Sequence, residues 1–199
     1  MKKTSVTRDR DVREAVLKKV LSEHVADPNV LVVEELGLEH GACRVDIAVV
    51  NGYLHGYELK SDSDNLQRLP AQIAAYSKVF DRATLVLGEK HLETASSILP
   101  SWWGIKVAHV GARGAVNIDT HRPIENNPDV SSFHLAHLLW KPEAIDILRQ
   151  MGVTDNLSRL NRSALYNLLA ETVPLQELRR HVREALKLRT KWRHPSPPL

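Results

Sequence analysis

Two carboxylates and a lysine stand in two adjoining apolar segments of the chain. Asp46 interrupts Arg44–Val50, a run whose apolar residues occupy both faces and therefore predict a buried, central strand. Glu58 and Lys60 end the next run, Tyr53–Lys60, and because they are two residues apart both side chains leave the same face of a strand. A carboxylate in a buried strand is costly unless it is paired or binds a cation, so these three residues are the first candidates for a functional site.

These residue types suit phosphodiester hydrolysis. Two carboxylates and the backbone carbonyl of Leu59 form a hard oxygen site for Mg²⁺ or Mn²⁺. Such a metal polarises a phosphate and lowers the pKa of a bound water, while Lys60 can stabilise the charge that develops on the phosphate. A buried structural ion pair, formed by Asp46 or Glu58 with Lys60 or Arg44, is the alternative that the same residues allow.

The helix predicted after Lys60 adds a second motif. Gln72 and Tyr76 are four residues apart and share one helix face. The combined pattern, Asp-x₁₁-Glu-x-Lys followed by Gln-x-x-x-Tyr, resembles the PD-(D/E)XK nuclease superfamily, in its small bacterial and phage branch with a Gln-x-x-x-Tyr motif after Glu-x-Lys. The resemblance covers about residues 10 to 110, and Val45 stands where the motif has its proline.

This resemblance implies an α/β fold, namely a restriction-endonuclease-like mixed sheet flanked by helices. It also implies a divalent metal and cleavage of DNA or RNA. The implied catalytic residues are Asp46, Glu58, Lys60, Gln72 and Tyr76, and the implied metal ligands are Asp46, Glu58 and the carbonyl of Leu59.

Other acidic residues are weaker candidates for the metal site. Glu14 on the first predicted helix could add a ligand, although an exposed pair with Lys18 is the alternative. Glu35 ends its predicted strand and could approach the metal from the side. Asp62 and Asp64 have the residue type and position of helix caps rather than ligands.

The hairpin between the two motif strands must have a particular register if the carboxylates are to meet. A two-residue Asn51-Gly52 turn would place Asp46 and Glu58 on opposite faces of the sheet. The chemistry therefore predicts a three-residue loop, Val50–Gly52, with Gly52 in the left-handed region and Asp46 paired with Gly56. A bulge between Tyr53 and Tyr57 would have the same effect.

Hydrophobic periodicity and turn residues predict an α-β-β-β-α-β-α-β core in residues 1–125, a loop over 111–130, and a helical, basic C-terminal region in residues 126–199. The predicted strands are Val30–Glu35, Arg44–Val50, Tyr53–Lys60, Ala83–Leu87 and Ile105–Val110. The predicted helices are Arg8–Val25, Asp62–Phe80 with a fresh first turn at Pro70, Glu89–Leu99, Phe133–Trp140, Pro142–Met151, Arg162–Thr172 and Leu175–Lys191.

Charge is distributed unevenly along the 199 residues. From Asp155 onward there are nine Lys/Arg and four Asp/Glu, whereas the remainder has eighteen positive and twenty negative residues. A basic tail favours a polyanionic partner, and a solvated helix face is the alternative. The residues predicted to contact phosphate are Arg179, Arg180, Arg183 and Lys187.

Two further features bear on the setting of the protein. Cys43 is the only cysteine, and neither a secretory signal nor a long apolar run occurs, so a cytoplasmic protein without a membrane segment is expected. The sequence predicts a Mg²⁺- or Mn²⁺-dependent endonuclease acting on DNA. A nucleic-acid-binding or regulatory module that keeps the nuclease fold without turnover is the alternative, as is an RNA-directed nuclease. The oligomeric state stays open, a dimer included.

Overall fold

The computed structural model describes residues 6–38 and 41–190, and its centre is one six-stranded sheet whose strand order follows the chain. The first three strands are antiparallel, the third to the fifth are parallel, and the sixth returns antiparallel. The strands are β1 Leu31–Leu38, β2 Cys43–Val50, β3 Leu54–Lys60, β4 Arg82–Gly88, β5 Gly104–Val110 and β6 Val116–Arg122.

Helices cover both faces of this sheet. On one face, α1 and the π-helical turn that follows it bury Val12 and Val16 against a cluster that includes Ile47 and Leu59. On the other face, α3 and the C-terminal helices share one larger cluster with the sheet. The helices are α1 Asp9–Ala15, a π-helical turn Val16–Val20, α2 Ser22–Ala26, α3 Leu69–Val79, α4 Leu92–Ile98, α5 Ser132–Ala136, α6 Lys141–Gln150, α7 Arg162–Thr172 and α8 Leu175–Leu188.

The expected mixed α/β architecture with a helical C-terminal part is confirmed. Because the cluster on the α3 side joins Leu85 of the sheet to Leu165 and Leu178 of the C-terminal helices, those helices pack directly on the sheet. The division of the chain near residue 125 stays a prediction. Within the described residues, no helix has the length and apolar character needed to cross a membrane.

One strand, β6, lies where the sequence predicts only a loop. Its residues alternate between half-buried Val116 and Ile118 and exposed Asn117 and Asp119. That alternation is the period of a half-buried strand, but the short apolar set and the neighbouring glycines hide it. The last predicted helix ends at Leu188, and its predicted end at Lys191 lies outside the described residues.

The segment after β3 also differs from expectation. Helix α3 begins at Leu69 with Pro70 in its first turn, so Asp62 and Asp64 do not cap it. Asp62 instead accepts hydrogen bonds from the backbone N–H and the hydroxyl of Thr7, at 2.9 and 2.8 Å. These bonds tie the chain before α1 to the end of β3.

The β2–β3 hairpin has a three-residue loop, but not the predicted one. Val50 pairs with Leu54, so the loop is Asn51–Tyr53, one residue later than expected. Gly52 is not among the described residues with positive φ, and the paired residues of β2 and β3 show no bulge. The predicted left-handed Gly52 and the predicted bulge between Tyr53 and Tyr57 are therefore both wrong. The Asn51 side chain accepts a hydrogen bond from the N–H of Tyr53 at 2.9 Å, and this local bond closes the loop without a left-handed residue.

Asp81, just before β4, connects three parts of the fold. Its buried carboxylate accepts a hydrogen bond from the N–H of Leu54 at 2.8 Å. It also pairs with Arg179 of α8 at 2.9 Å and with Arg183 at 3.6 Å. The backbone carbonyl of Asp81 accepts from Asn127 at 2.8 Å. Asp81 therefore holds the hairpin, the chain after β6 and the last helix together.

Replacing Asp81 with alanine should lower the free energy of unfolding by about 3 kcal/mol, because two arginines lose their buried counter-ion and the N–H of Leu54 loses its acceptor. Urea denaturation followed by circular dichroism measures this change. Glu184→Ala is the control, because its pair with Arg180 is exposed and should contribute less than about 1 kcal/mol. Similar small losses for both variants would contradict a structural role for Asp81.

Candidate functional site

Asp46 lies where β2 and β3 separate. The ladder between the two strands ends at Ile47 and Tyr57, one position before Asp46. Beyond that point, the backbone N–H of Leu59 donates a hydrogen bond to the Asp46 carboxylate, at 2.8 Å, instead of to a carbonyl of β2. Its other oxygen accepts from Arg13 of α1 at 3.1 Å. Both oxygens of Asp46 are therefore engaged by donors of the protein itself.

Glu58 lies on β3 and is held from α3. Gln72 donates to one carboxylate oxygen at 2.6 Å, and Tyr76 donates to the other at 2.5 Å. Lys60 forms an ion pair with the same carboxylate, and both side chains are buried. Gln72 and Tyr76 thus point to the motif strand, as their spacing predicts, and they contact Glu58 rather than Asp46.

Arg13 is the centre of a second charge cluster that the sequence did not reveal. Its guanidinium pairs with Glu34 at 3.1 Å, Glu35 at 3.3 Å and Asp46 at 3.1 Å, and it also donates to the Asp46 carbonyl. Asp9 lies 3.9 Å away on the same helix. The available signal was a lone arginine beside the buried α1 residue Val12, which is too common a pattern to identify a site.

The backbone of β1 is adapted to this cluster. Glu35 has a φ of 57°, a left-handed conformation that a non-glycine residue adopts at a cost of about 1 kcal/mol or more. The flanking pairs, Glu34 with Ile47 and Leu36 with Val45, set Glu35 opposite Asp46. Two like charges in that position repel, and the guanidinium between them compensates. The left-handed conformation of Glu35 therefore accompanies an arrangement in which two consecutive glutamates, Glu34 and Glu35, both pair with Arg13.

Burial raises the pKa of Asp46 and of Glu58 above their ordinary values. For Asp46, burial is opposed by the Leu59 N–H and by the charge of Arg13. For Glu58, the negative charge of Asp46 adds to burial, and Lys60 opposes both. Burial and the neighbouring Glu58 raise the pKa of Tyr76 well above 10, so its hydroxyl remains a hydrogen-bond donor.

The carboxylates of Asp46 and Glu58 are engaged by donors of the protein itself. All four of their oxygens accept hydrogen bonds, so a divalent cation would have to compete with the positive charges of Arg13 and Lys60. Across residues 6–38 and 41–190, no group of three or more His, Cys, Asp or Glu side chains could hold a metal ion. The expected Mg²⁺ or Mn²⁺ stays a prediction, and so do the catalytic and ligand roles assigned to these residues, Leu59 included.

The remaining candidates lie apart from Asp46 and Glu58. Glu14 is exposed and pairs with Lys18 at 2.6 Å, which is the alternative that its spacing allowed. On α8, Arg179 and Arg183 pair with Asp81, and Arg180 pairs with Glu184. Lys187 is exposed and donates to the carbonyl of Asn29. Two of the four predicted phosphate contacts, Arg179 and Arg183, are therefore occupied in holding the fold together.

Fold and site together define a mixed α/β protein whose central charges are paired with one another. Residues 2–196 match the model of the family described as Bacteriophage P4 protein cII. Since that match spans almost the whole chain, the protein belongs to this family.

Two individual proteins are similar to this chain. Protein cII of Enterobacteria phage P4 is 26% identical over 182 residues, which cover 92% of this chain and 67% of the phage protein. Among solved structures, the SPO1766 protein of unknown function from Silicibacter pomeroyi is 16% identical and covers 78% of this chain and 96% of its own. Its TM-score of 0.44 is too low to support an argument about fold or function.

Membership of the cII family corrects the resemblance to the PD-(D/E)XK nucleases, and with it the predicted function. The predicted nuclease or endonuclease function is wrong, the hydrolase and metal-binding descriptions are not supported by the family, and only the phage connection remains. The physical reason is that Asp-x₁₁-Glu-x-Lys with Gln-x-x-x-Tyr is a short set of polar residues. The same set builds an internal network of hydrogen bonds and ion pairs, as it does here.

The raised pKa of Glu58 predicts an unusual pH dependence of stability. A carboxyl whose pKa is higher in the folded state binds protons preferentially when folded. Its contribution to stability is present below the unfolded value of 4.5 and is lost as the pH rises through the raised pKa. Relative to Glu58→Gln, the wild-type protein should therefore become less stable as the pH rises above 4.5.

Urea denaturation of both proteins at a series of pH values tests this expectation. Glu14→Gln is the control, because the pairing with Lys18 lowers the pKa of Glu14 and gives the opposite slope. A difference between wild type and Glu58→Gln that is flat or grows with pH would contradict the raised pKa.

Proposed function

We propose that this protein is a nucleic-acid-binding regulatory module that binds its partner without turnover. The proposal is supported by membership of the phage P4 cII family and by the internally satisfied charges of Asp46 and Glu58. The observation that carries it is that every oxygen of the two carboxylates accepts from a donor of the chain itself. The charges that the sequence suggested for catalysis therefore stabilise the junction of α1, the sheet and α3.

Nucleic acid is the proposed partner because of the charge of the C-terminal region. From Asp155 onward, positive residues exceed negative ones by five, and a polyanion is attracted to such an excess. DNA is the expected form, and a cytoplasmic setting stays a prediction. The absence of enzymatic turnover is likewise part of the proposal.

The structure indicates which C-terminal cations are free to contact phosphate. Arg159 and Arg162 are exposed, and neither forms an ion pair within the described residues. Arg180 and Lys187 are also exposed, and an exposed pair such as Arg180–Glu184 contributes little and exchanges readily. These four residues replace the set predicted from the sequence, because Arg179 and Arg183 hold Asp81.

Fluorescence anisotropy with labelled DNA at increasing NaCl concentration tests the proposal. The Arg159→Gln/Arg162→Gln double variant should bind more weakly. Its slope of log K against log salt should fall by about one for each phosphate that the variant no longer neutralises. The control is Lys90→Gln/Arg113→Gln, which removes the same charge from exposed positions outside the C-terminal region. Binding by neither wild type nor control would reject nucleic acid as the partner.

The proposed lack of turnover has its own test. Labelled DNA and RNA recovered after incubation with the protein and Mg²⁺ or Mn²⁺ should be intact on a denaturing gel. The Tm of the protein should not change on addition of either metal, because a cation would have to displace Arg13 from Asp46 and Lys60 from Glu58. A metal-dependent rise in Tm that Asp46→Asn abolishes would show that a cation displaces Arg13.

A further inference from the structure

Trp140 is an exposed aromatic ring at the entrance to α6. Its relative exposure is 58%, whereas Trp102 and Trp103 are 7% and 0% exposed. A large apolar side chain in contact with water is unfavourable by itself. An exposed ring that is also held in one orientation is therefore a candidate contact site.

Three residues fix the orientation of this ring. The guanidinium of Arg189 lies 4.4 Å from the ring centroid and covers one face. Arg189 is bound to both oxygens of Glu143, at 2.9 and 2.6 Å, and to the carbonyl of Leu138 at 2.7 Å. Glu143 in turn accepts from the backbone N–H of Trp140 at 2.7 Å. One face of the indole is therefore supported by the largely buried Arg189–Glu143 ion pair, and, with respect to the described residues, the ring remains 58% exposed.

A groove of about 590 Å³ runs beside the ring, between the β1–β2 turn and the starts of α6 and α7. Its lining includes the cations Lys141, Arg162 and Arg189, and none of the described residues that line it is acidic. Arg162 is exposed, and Lys141 uses two of its three donors on the carbonyls of Ser158 and Leu160. Two cations can therefore face an anion a short distance from an exposed aromatic ring.

We propose that this surface binds single-stranded nucleic acid, with an unpaired base stacked on Trp140 and the adjoining phosphates near Arg162 and Lys141. The inference rests on the proposed function and narrows its partner. Aromatic platforms next to cationic grooves suit single strands, because every base offers a π-face and the backbone supplies the charge. In a duplex the same base faces are covered by neighbouring pairs.

Three substitutions of Trp140 separate stacking from packing. Trp140→Phe keeps an aromatic face, Trp140→Leu keeps an apolar cover over Arg189, and Trp140→Ala keeps neither. Affinity for an oligothymidine should fall roughly five- to a hundredfold in the Leu and Ala variants, as expected when one base can no longer stack, and should largely recover in Phe. Thermal melting of each variant verifies that it is folded.

The matched control is Tyr53→Ala. Tyr53 is also an exposed ring supported by an arginine, since Arg82 lies 3.7 Å from its centroid. The groove beside Tyr53 contains Asp81, however, and the carboxylate of Asp81 pairs with both arginines that line this groove, Arg179 and Arg183. Tyr53→Ala should bind the single strand like wild type.

The duplex of the same length distinguishes the possible failures. If wild type binds neither form, the proposed function itself fails. If it binds both and the Trp140 variants lose nothing on the single strand, the stacking site is wrong while the proposed function stands. Equal losses of affinity for the single strand and the duplex in the Trp140 variants would also overturn the inference. Such losses would mean that Trp140 contacts the sugar–phosphate backbone rather than an unpaired base. Competition by an acidic peptide but not by oligothymidine would assign the surface to a protein partner.

Discussion

The guanidinium of Arg13 allows three partly exposed negative charges to lie close together on β1 and β2. Glu34, Glu35 and Asp46 would otherwise repel one another, and burial disfavours the charged form of Asp46. Because α1 carries the arginine, the docking of this helix and the pairing of the two strands depend on one another. The left-handed backbone of Glu35 is tolerated because it completes this arrangement.

A second set of charges, Glu58 and Lys60, is held in place by side chains of α3 and not by Arg13. Tyr76 and Gln72 satisfy the carboxylate, and the lysine neutralises it. The two clusters lie on adjacent strands, and the negative charge of Asp46 affects the protonation of Glu58. The helices on the two faces of the sheet are thus linked electrostatically through β2 and β3. This linkage gives the polar residues of the Asp-x₁₁-Glu-x-Lys and Gln-x-x-x-Tyr motifs a structural role in this member of the cII family.

Much of the fold could be predicted from the sequence, because long apolar runs such as Arg44–Val50 and periodic helices such as Arg162–Thr172 carry strong local signals. The β6 strand could not, since its apolar residues are few and glycines stand close to them in the sequence. The hairpin loop was misplaced by one residue, which shifts the pairing of the strands by two positions, because the Asn51 side chain, rather than a left-handed Gly52, closes the loop.

The candidate site was only partly predictable. Spacing placed Gln72 and Tyr76 beside the motif strand, yet it could not reveal Arg13, which is distant in sequence from Asp46. The nuclease assignment failed for the same reason, because residue types predict which groups meet but not which donors already occupy them. Likewise, the basic face of α8 was predicted correctly as basic, but the pairing of Arg179 and Arg183 with Asp81 needed the tertiary structure.

The β6 strand has a consequence for how the protein behaves in concentrated solution. An outermost strand presents unpaired N–H and C=O groups to which another chain can add. Here the strand carries Asp119 and Arg122, its pairing is irregular between Ile105 and Lys106, and Lys19 donates to the carbonyl of Val116. Charge, distortion and a covering side chain each oppose strand addition. The edge of the sheet is therefore protected against the intermolecular pairing that leads to aggregation.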